Sequence, residues 1–304
     1  MFFSRNTSLT ISMSVTLPWF AGDGTAVHGG IEQVASPLHS PLMTTHSTAL
    51  TALVTGASRG IGRAVACALA VRGVRVAIHY QANAAAARET LAAMTGSGHA
   101  RFAADLADPA AVAPLWNAVI AEFGRVDILV NNAGIYEMHP PLATGYAAWQ
   151  AAWDRTITAN LLAPANLSLL AAQAMAAGTG TRDTDWGRGR IVNISSRGAF
   201  RGEPDAPAYG ASKAALNSMG QSLARALAPQ GIHVFSLAPG WVSTDMASAH
   251  LTGPGGAEVL AQHPLGRVAT AEEIAAAATF CALDAPAVMT GGIIDLNGAS
   301  YLRS

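Results

Sequence analysis

The sequence has little cysteine. Its two cysteines, Cys67 and Cys281, lie far apart in alanine-rich, apolar surroundings, and no C-x-x-C motif or Cys/His cluster occurs. This pattern disfavours a disulfide scaffold and a zinc module. We therefore predict no metal site.

Charge is also scarce. Charged residues make up 12% of the 304 residues, whereas about 25% is usual in globular proteins. The 18 Lys and Arg residues and the 19 Asp and Glu residues give a net charge of −1. No basic stripe is available to neutralise a nucleic-acid backbone, so we expect no nucleic-acid partner. Hydrophobic residues reach 51%, which excludes a disordered chain.

One long run, residues 156–181, has no charged side chain and is long enough to cross a bilayer. Polar or helix-disturbing residues interrupt it at Asn160, Pro164, Asn166 and Gln173. Each polar group would need a partner inside the lipid, so we predict no membrane segment and a cytoplasmic protein. A helix that is buried on most of its circumference, in a large α/β domain or at a subunit interface, explains the run better.

Residues 1–48 lack sustained hydrophobic periodicity and are rich in Ser, Thr, Gly and Pro. Three interpretations stay open. The segment is a disordered leader or a start assigned too far upstream, with Met43 as the true start; or it is a targeting segment; or it is an ordered extension. We favour the first.

A short strand, a glycine-rich turn and a helix follow one another from residue 51. The strand is predicted at Thr51–Thr55, the turn at Gly56–Gly62 and the helix at Arg63–Val71. Such a turn lets the backbone approach a pyrophosphate and aims the N–H groups of the helix N-terminus at the negative charge. The spacing G-x-x-x-G-x-G therefore indicates a dinucleotide site, although glycine turns also occur without a ligand.

The next strand, Val74–His79, ends where a dinucleotide enzyme places the residue that contacts the adenosine ribose. This position is Tyr80, and no Asp or Glu occurs between Gly62 and Glu89. A carboxylate would repel a 2′-phosphate, whereas its absence, together with Arg59 in the turn, favours one. We predict NADP(H) in preference to NAD(H).

The rest of the chain continues to alternate between short apolar strands and helices. Six or seven strands with helical crossovers predict an α/β fold, a single Rossmann-type domain with a doubly wound parallel sheet over residues 49–304. Its ligands would bind at the carboxyl ends of the strands. The further strands are predicted at His99–Ala104, Val126–Val130, Arg190–Ile194, Ile232–Leu237 and Ile293–Leu296.

Five motifs occur in a defined order and spacing: Gly56-Ala-Ser-Arg-Gly-Ile-Gly62, Asn131-Asn-Ala-Gly134, Ser196, Tyr209-Gly-Ala-Ser-Lys213 and Pro239-Gly240. Together they resemble the short-chain dehydrogenase/reductase family over residues 49–303. The interval of thirteen residues from the serine to the tyrosine, and of four more to the lysine, is the most specific part. Within the family the chain is most similar to the 3-oxoacyl-carrier-protein reductase type.

The resemblance implies four catalytic residues, and their chemistry fits. Tyr209 and Lys213 lie four residues apart on a predicted helix, so the ammonium would lower the pKa of the phenol and let Tyr209 act as general acid/base. Ser196 would bond the same substrate oxygen. Asn160 would continue a proton relay through water to the lysine. Ser195 competes with Ser196, but the spacing to Tyr209 favours Ser196.

The resemblance also implies the cofactor contacts. Asp105 and Leu106 would flank the adenine, Lys213 the nicotinamide ribose, and Val242 and Thr244 the carboxamide and phosphates. The full expected set is Gly56, Ser58, Arg59, Gly60, Ile61, Gly62, Tyr80, Asp105, Leu106, Asn132, Ala133, Gly134, Tyr209, Lys213, Pro239, Gly240, Val242 and Thr244.

Residues 243–267 are expected to cover the substrate, with Met246, His250 and Leu251 as candidate contacts. Other pocket candidates are mostly apolar, and two arginines are expected near the mouth. These residues are Ile135, Tyr136, Ala199, Phe200, Trp241, Arg197 and Arg201.

Gln230 stands where reductases of carrier-protein thioesters usually have a basic residue, although Arg188 and Arg190 are candidates to compensate. A free ketone, keto-ester, sugar or polyol is therefore at least as suitable a substrate as an acyl carrier protein. We predict an NADP(H)-dependent enzyme that interconverts a carbonyl and a secondary alcohol. The alternatives are an NAD-dependent alcohol or polyol dehydrogenase and a non-catalytic cofactor-binding sensor.

The family resemblance also implies a homotetramer. The charge-free helix after Asn160 and the helix Pro207–Ala228 are its expected interface faces.

Overall fold

The computed structural model describes residues 49–178, 186–245, 247, 253 and 255–303. The predictions for residues 1–48, including Met43 as a start, lie outside the described residues. The same holds for three candidate substrate contacts, Met246, His250 and Leu251.

Seven parallel strands form one sheet, in the order β3-β2-β1-β4-β5-β6-β9. This topology confirms the predicted doubly wound α/β fold. The strands are β1 (Thr51–Val54), β2 (Arg75–Tyr80), β3 (Ala100–Ala103), β4 (Ile128–Asn131), β5 (Gly189–Ile194), β6 (Ile232–Pro239) and β9 (Ile293–Leu296). Two further short strands, β7 (Val242–Ser243) and β8 (Ala269–Thr270), pair with each other beside the sheet.

Helices cover both faces of the sheet. They are α1 (Gly60–Val71), α2 (Ala84–Ala93), α3 (Val112–Phe123), α4 (Tyr146–Ile157), α5 (Ala163–Ala177), α6 (Gly198–Arg201), α7 (Pro207–Leu227), α8 (Gly256–Ala261) and α9 (Ala271–Leu283). Short 3₁₀ turns lie at Pro109–Ala111, Ala228–Gln230 and Ala287–Met289.

Two hydrophobic cores lie on opposite faces of the sheet. Ala52 and Val54 of β1 pack in the core that α1 and α9 cover, whereas Leu53 packs in the core that α3 and α5 cover. All three side chains are fully buried. Central strands that are buried on both faces have little place for charge, which accounts for much of the low charge of the chain.

Helix α1 begins at Gly60, three residues before the predicted start at Arg63. The last part of the glycine turn therefore forms the first helical turn. This difference brings the helix N-terminus directly beside the end of β1.

The charge-free run is divided by a π-helical turn, Thr158–Leu162, between α4 and α5. Pro164 has no N–H to bond the carbonyl of Asn160, and Ala163 N bonds the carbonyl of Thr158, five residues earlier. Pro164 thus gives a local reason for this turn, which hydrophobic periodicity alone does not predict. No helix in the described part of the chain is long and apolar enough to cross a membrane.

The strand order reverses between β1 and β4, which are neighbours in the sheet. The crossovers that follow β1 and β4 diverge to opposite sides, and this opens a crevice at the carboxyl ends of the strands. The glycine turn, the Asn-Asn-Ala-Gly segment and the two serines all follow strands at this edge.

Candidate active site

The glycine turn after β1 is built as its spacing predicts. Gly56 and Gly60 have positive φ angles of 63° and 54°, which residues other than glycine rarely adopt. A Cβ atom on Gly62 would collide with the carbonyl oxygen of Gly56. The side chain of Asn132 holds the turn from the other side, donating to the carbonyl oxygens of Thr55 at 2.8 Å and Gly56 at 3.2 Å.

The N-terminus of α1 is open to an anion. Arg59, its N-cap residue, is extended, and no side chain among the described residues caps the helix. The first turn also has no acidic residue. Unpaired N–H groups at the positive end of a 12-residue helix fit a pyrophosphate, so the turn suits the dinucleotide that its sequence indicates.

Two residues at the ribose end were missed in the sequence. Arg101 on β3 donates to the hydroxyl of Tyr80 at 2.8 Å. It is therefore a second cation, after Arg59, that is a candidate to contact a 2′-phosphate on the adenosine ribose. His79 is buried, accepts from Gly56 N at 3.1 Å and bonds Ala104 O at 3.1 Å. Both side chains act across strands, so the pairing of β2 with β1 and with β3 brings them to the site.

The other expected cofactor residues are distributed along the same edge. Asp105 caps its own turn by accepting from Ala107 N, and Leu106 is buried. Thr244 reaches the glycine turn: its methyl group lies 3.3 Å from the position of a Cβ atom on Gly60.

Asn131 and Thr55 fasten the central strands together. Asn131 donates to Asn193 Oδ1 at 2.9 Å and to Ser168 Oγ at 3.1 Å. The hydroxyl of Thr55 accepts from the backbone N–H groups of Asn132 and Ala133 at 2.9 Å each. This network fixes the Asn-Asn-Ala-Gly segment over the crevice.

Ser196, Tyr209 and Lys213 meet where β5 ends against α7. The Ser196 hydroxyl lies close enough to the Tyr209 phenol to lower its pKa. Lys213 Nζ lies 5.7 Å from the centre of the Tyr209 ring and donates to the carbonyl of Ile194 at 2.9 Å. Ser195 faces away from this group, since its hydroxyl donates to the carbonyl of Lys213 at 3.2 Å.

The predicted lowering of the Tyr209 pKa is wrong for this structure. Burial raises the pKa of Tyr209 to about 12, while the nearby Ser196 hydroxyl opposes the rise and the charge of Glu203 adds to it. Burial lowers the pKa of Lys213 to about 8. Spacing on a helix predicts which groups meet, but the pKa direction depends on how much water is removed from them.

Asn160 sits in the π turn and faces the backbone of Ile135. Its Oδ1 accepts from Ile135 N at 2.8 Å, and its Nδ2 donates to Ile135 O at 3.0 Å and Ser212 Oγ at 3.2 Å. A Cβ atom on Gly134 would lie 3.3 Å from Asn160 Oδ1 and 3.4 Å from Lys213 Nζ. The structure thus brings Asn160 and Lys213 together beside Gly134.

The pocket wall above Tyr209 is more polar than predicted. The ring of Tyr136 meets that of Tyr209 edge-on, with ring centres 5.0 Å apart. Burial raises the pKa of Tyr136 to about 12, and the nearby charges of Glu203 and Asp205 add to the rise. Glu203 was missed because it precedes the tyrosine in a loop without any motif.

Two arginines lie differently from their predicted places. Arg197, predicted near the mouth, is 3% exposed and bonds Ser300 and Gln262. Arg190, a candidate for carrier-protein docking, is 2% exposed and donates to the carbonyl of Cys281 at 2.9 Å. Arg188 donates to the carbonyl of Ala176, and Arg201 and Ala199 line an open cleft beside α6 and the start of α7. Burial of Arg190 removes it as a docking contact.

A family model, curated relatives and a solved structure are all similar to this chain. A family model described as enoyl-(acyl carrier protein) reductase matches residues 56–298. The 3-oxoacyl-[acyl-carrier-protein] reductase of Escherichia coli is 38% identical over 252 residues, which are 83% of this chain and 97% of that protein. D-threitol dehydrogenase of Mycolicibacterium smegmatis is 38% identical over 255 residues, 83% of this chain and 93% of that protein.

A solved structure agrees with these relatives. A short-chain dehydrogenase from Burkholderia cenocepacia, in complex with NADP, superposes with a TM-score of 0.71 at 35% identity and covers 83% of this chain and 97% of its own. The fold, the motif order and these similarities lead to one conclusion: the chain belongs to the short-chain dehydrogenase/reductase family.

Proposed function

We propose that this protein is an NADP(H)-dependent oxidoreductase that interconverts a carbonyl and a secondary alcohol, with Tyr209 as the general acid/base. One observation carries the proposal. Ser196, Tyr209 and Lys213 lie together where β5 ends against α7, and Lys213 and Asn160 both lie beside Gly134, at the sheet edge that also presents a helix N-terminus without a side-chain cap among the described residues. A protein that only binds a dinucleotide has no need of these four polar side chains.

The cofactor seat is made of the glycine turn, the N-terminus of α1 and the segment from Asn132 to Gly134. The bound nicotinamide would supply the hydride for reduction or accept it in oxidation. NADP(H) is favoured because Tyr80 replaces a ribose-binding carboxylate and Arg59 and Arg101 lie at that end. The NADP complex of the Burkholderia relative supports the same choice.

The proton chemistry follows from the pKa values. With a pKa of about 12, Tyr209 keeps its proton at neutral pH and can donate it to a carbonyl oxygen that Ser196 also bonds. Lys213, with a pKa of about 8, exchanges protons near neutrality and lies beside Asn160. Asn160 would hold the water that connects the lysine to solvent.

The substrate is a small carbonyl compound or its alcohol. Gln230 and the buried Arg190 argue against docking of an acidic carrier protein through this face, although carrier-protein reductases are among the relatives. The similarity to D-threitol dehydrogenase favours a polyol as the second candidate.

A panel assay separates these candidates. Ketones, keto-esters and polyols are offered with NADPH, NADH or their oxidised forms, and each cofactor is titrated by fluorescence. Turnover of a ketone with NADPH as the tighter ligand is expected. Tighter NADH binding with polyol turnover would favour the second candidate, and binding without any turnover would favour a sensor.

We also propose a homotetramer, as the family resemblance implies. Leu162 and Leu169, at the π turn and on α5, are 45% and 55% exposed. Large apolar side chains exposed on one helix are typical of a subunit interface.

A further inference from the structure

Arg197 connects three separate segments of the chain. It directly follows Ser196 at the end of β5, and its side chain is 3% exposed. One guanidinium nitrogen donates to Ser300 Oγ at 2.5 Å, and another donates to Gln262 Oε1 at 3.0 Å. Gln262 ends α8, and Ser300 lies in the turn after β9. A single side chain thus joins the segment of the catalytic serine to two others.

The backbone around Arg197 makes the same junction. Arg197 N donates to the carbonyl of Pro239 at 2.8 Å, which continues the β5–β6 pairing beyond Ile194. The turn after β9 packs closely on the next residue, because a Cβ atom on Gly240 would lie 3.0 Å from Asn297 Cβ and 3.4 Å from Ser300 Oγ. Arg197 therefore lies between the ends of β5 and β6 and the C-terminal turn.

The charge of Arg197 has no ion-pair partner within 4 Å among the described residues. Burial lowers its pKa to about 10; the charge of Arg201 adds to the lowering, and the charge of Glu203 opposes it. A buried cation is unfavourable unless its directional bonds contribute something that an apolar side chain could not. The fork of the guanidinium can bond two acceptors on different segments at once.

The C-terminal turn is itself held in an unfavourable conformation. Ala299 has a positive φ of 60°, the one non-glycine residue with a positive φ in the described part of the chain. Asn297 bonds the backbone of Tyr301 across the turn through both its Nδ2 and its Oδ1. Such a conformation persists only where the surroundings fix it, and the bond from Arg197 to Ser300 is one of those constraints.

We propose that Arg197 is a positioning residue, which holds α8 and the C-terminal turn against the segment that carries Ser196. It acts through Gln262 and Ser300 and does not touch the reacting atoms. Because residues 243–267 are expected to cover the substrate, fixing the end of α8 determines how well the substrate is held. The kinetic part of this proposal rests on the proposed function.

The kinetic test is a double-mutant cycle between Arg197→Met and Gln262→Leu, the latter at an exposed position where folding is not at risk. R197M is expected to raise KM for the ketone about tenfold while kcat changes less than about threefold. Q262L should raise KM in the same direction, and the effect of the double variant should be smaller than the product of the two single effects, exceeding that of R197M only by the share of the Arg201–Gln262 bond. Arg201→Met is the comparison variant, because Arg201 bonds the same Gln262 oxygen at 3.1 Å from a more exposed position. R201M should raise KM less than R197M does.

The second readout needs no turnover. Hydrogen exchange of peptides that contain residues 256–262 and 297–303 should be faster in R197M than in the unmodified protein. Arg72→Met, which removes an exposed ion pair to Asp284, should leave both peptides unchanged. Unchanged exchange in R197M, or R197M and Q262L effects that multiply in the cycle, would overturn the proposal. If the unmodified protein turns over no substrate, the proposed function fails, and the exchange result alone decides on the positioning role.

Discussion

Asn160 Oδ1 and Lys213 Nζ both lie next to Gly134, 3.3 and 3.4 Å from the point that a Cβ atom would occupy there. The two side chains come from the π turn and from α7, and the absent side chain at Gly134 leaves them room to meet. The proposed proton path depends on this gap.

Gly134→Ala is expected to lower kcat roughly tenfold, a barrier increase of about 1.4 kcal/mol, with little change in NADPH affinity. The added methyl group would shift Asn160 Oδ1 by a few tenths of an ångström and would occupy the space between it and Lys213 Nζ. Gly145→Ala is the matched control, because a Cβ atom there meets nothing within 4 Å. Equal kcat in the two variants, measured at saturating ketone, would argue against the path.

Glu203→Gln is expected to shift the pH profile of alcohol oxidation to lower pH. The Glu203 carboxylate raises the pKa of Tyr209, so removing its charge lowers that pKa and makes tyrosinate available at lower pH. The measurement is kcat/KM against pH in the oxidation direction. Glu122→Gln, on the exposed face of α3, is the control, and a shift upward in E203Q would contradict the assignment.

Arg101→Gln is expected to weaken NADPH binding roughly three- to tenfold and NADH binding much less, because only NADPH carries the 2′-phosphate. Fluorescence titration with both cofactors gives the ratio. Arg75→Gln serves as the control: Arg75 is also on the β2–β3 pair but bonds Gly98 at the other end of the strands. Equal losses for the two cofactors would remove Arg101 from the phosphate site.

His79 should make stability fall in acid. Its usual pKa of 6.5 is lowered in the folded protein, mainly by burial. Between the two values the unfolded chain binds more protons, so the free energy of unfolding rises with pH there and falls as pH drops below about 6.5. Urea unfolding at several pH values should show that the free energy of unfolding depends less steeply on pH in His79→Asn. Some dependence on pH should remain, because the pKa of His233 is lowered too. An unchanged slope would exclude His79 as a source.

Leu169→Glu should dissociate the proposed tetramer without unfolding the subunit, since the side chain is 55% exposed in the single chain. Light scattering checks the mass. Arg88→Glu, on α2 and away from α5, is the control variant. A monomer in the unmodified protein would refute the tetramer directly.

The sheet and the polar motifs at its edge are local properties, and the sequence predicts them well. Strands such as Thr51–Val54 are short, apolar runs between glycine turns and helices, so their order already indicates parallel crossovers. The motif spacing likewise indicates that Ser196 and Tyr209 meet.

What the sequence does not predict depends on burial and on contacts between distant segments. The pKa of Tyr209 rises because water is excluded, which no spacing reveals. Arg190 and Arg197 look like surface residues in the sequence, yet folding buries both. His79 and Arg101 join the site only through strand register.

The most direct test is NADPH-dependent ketone reduction by the unmodified protein and by Tyr209→Phe. The variant keeps the ring but loses the hydroxyl that carries the proton, so we expect kcat/KM to fall by about a hundredfold or more while NADPH still binds. Equal rates in the two proteins would contradict the central claim that Tyr209 transfers the proton.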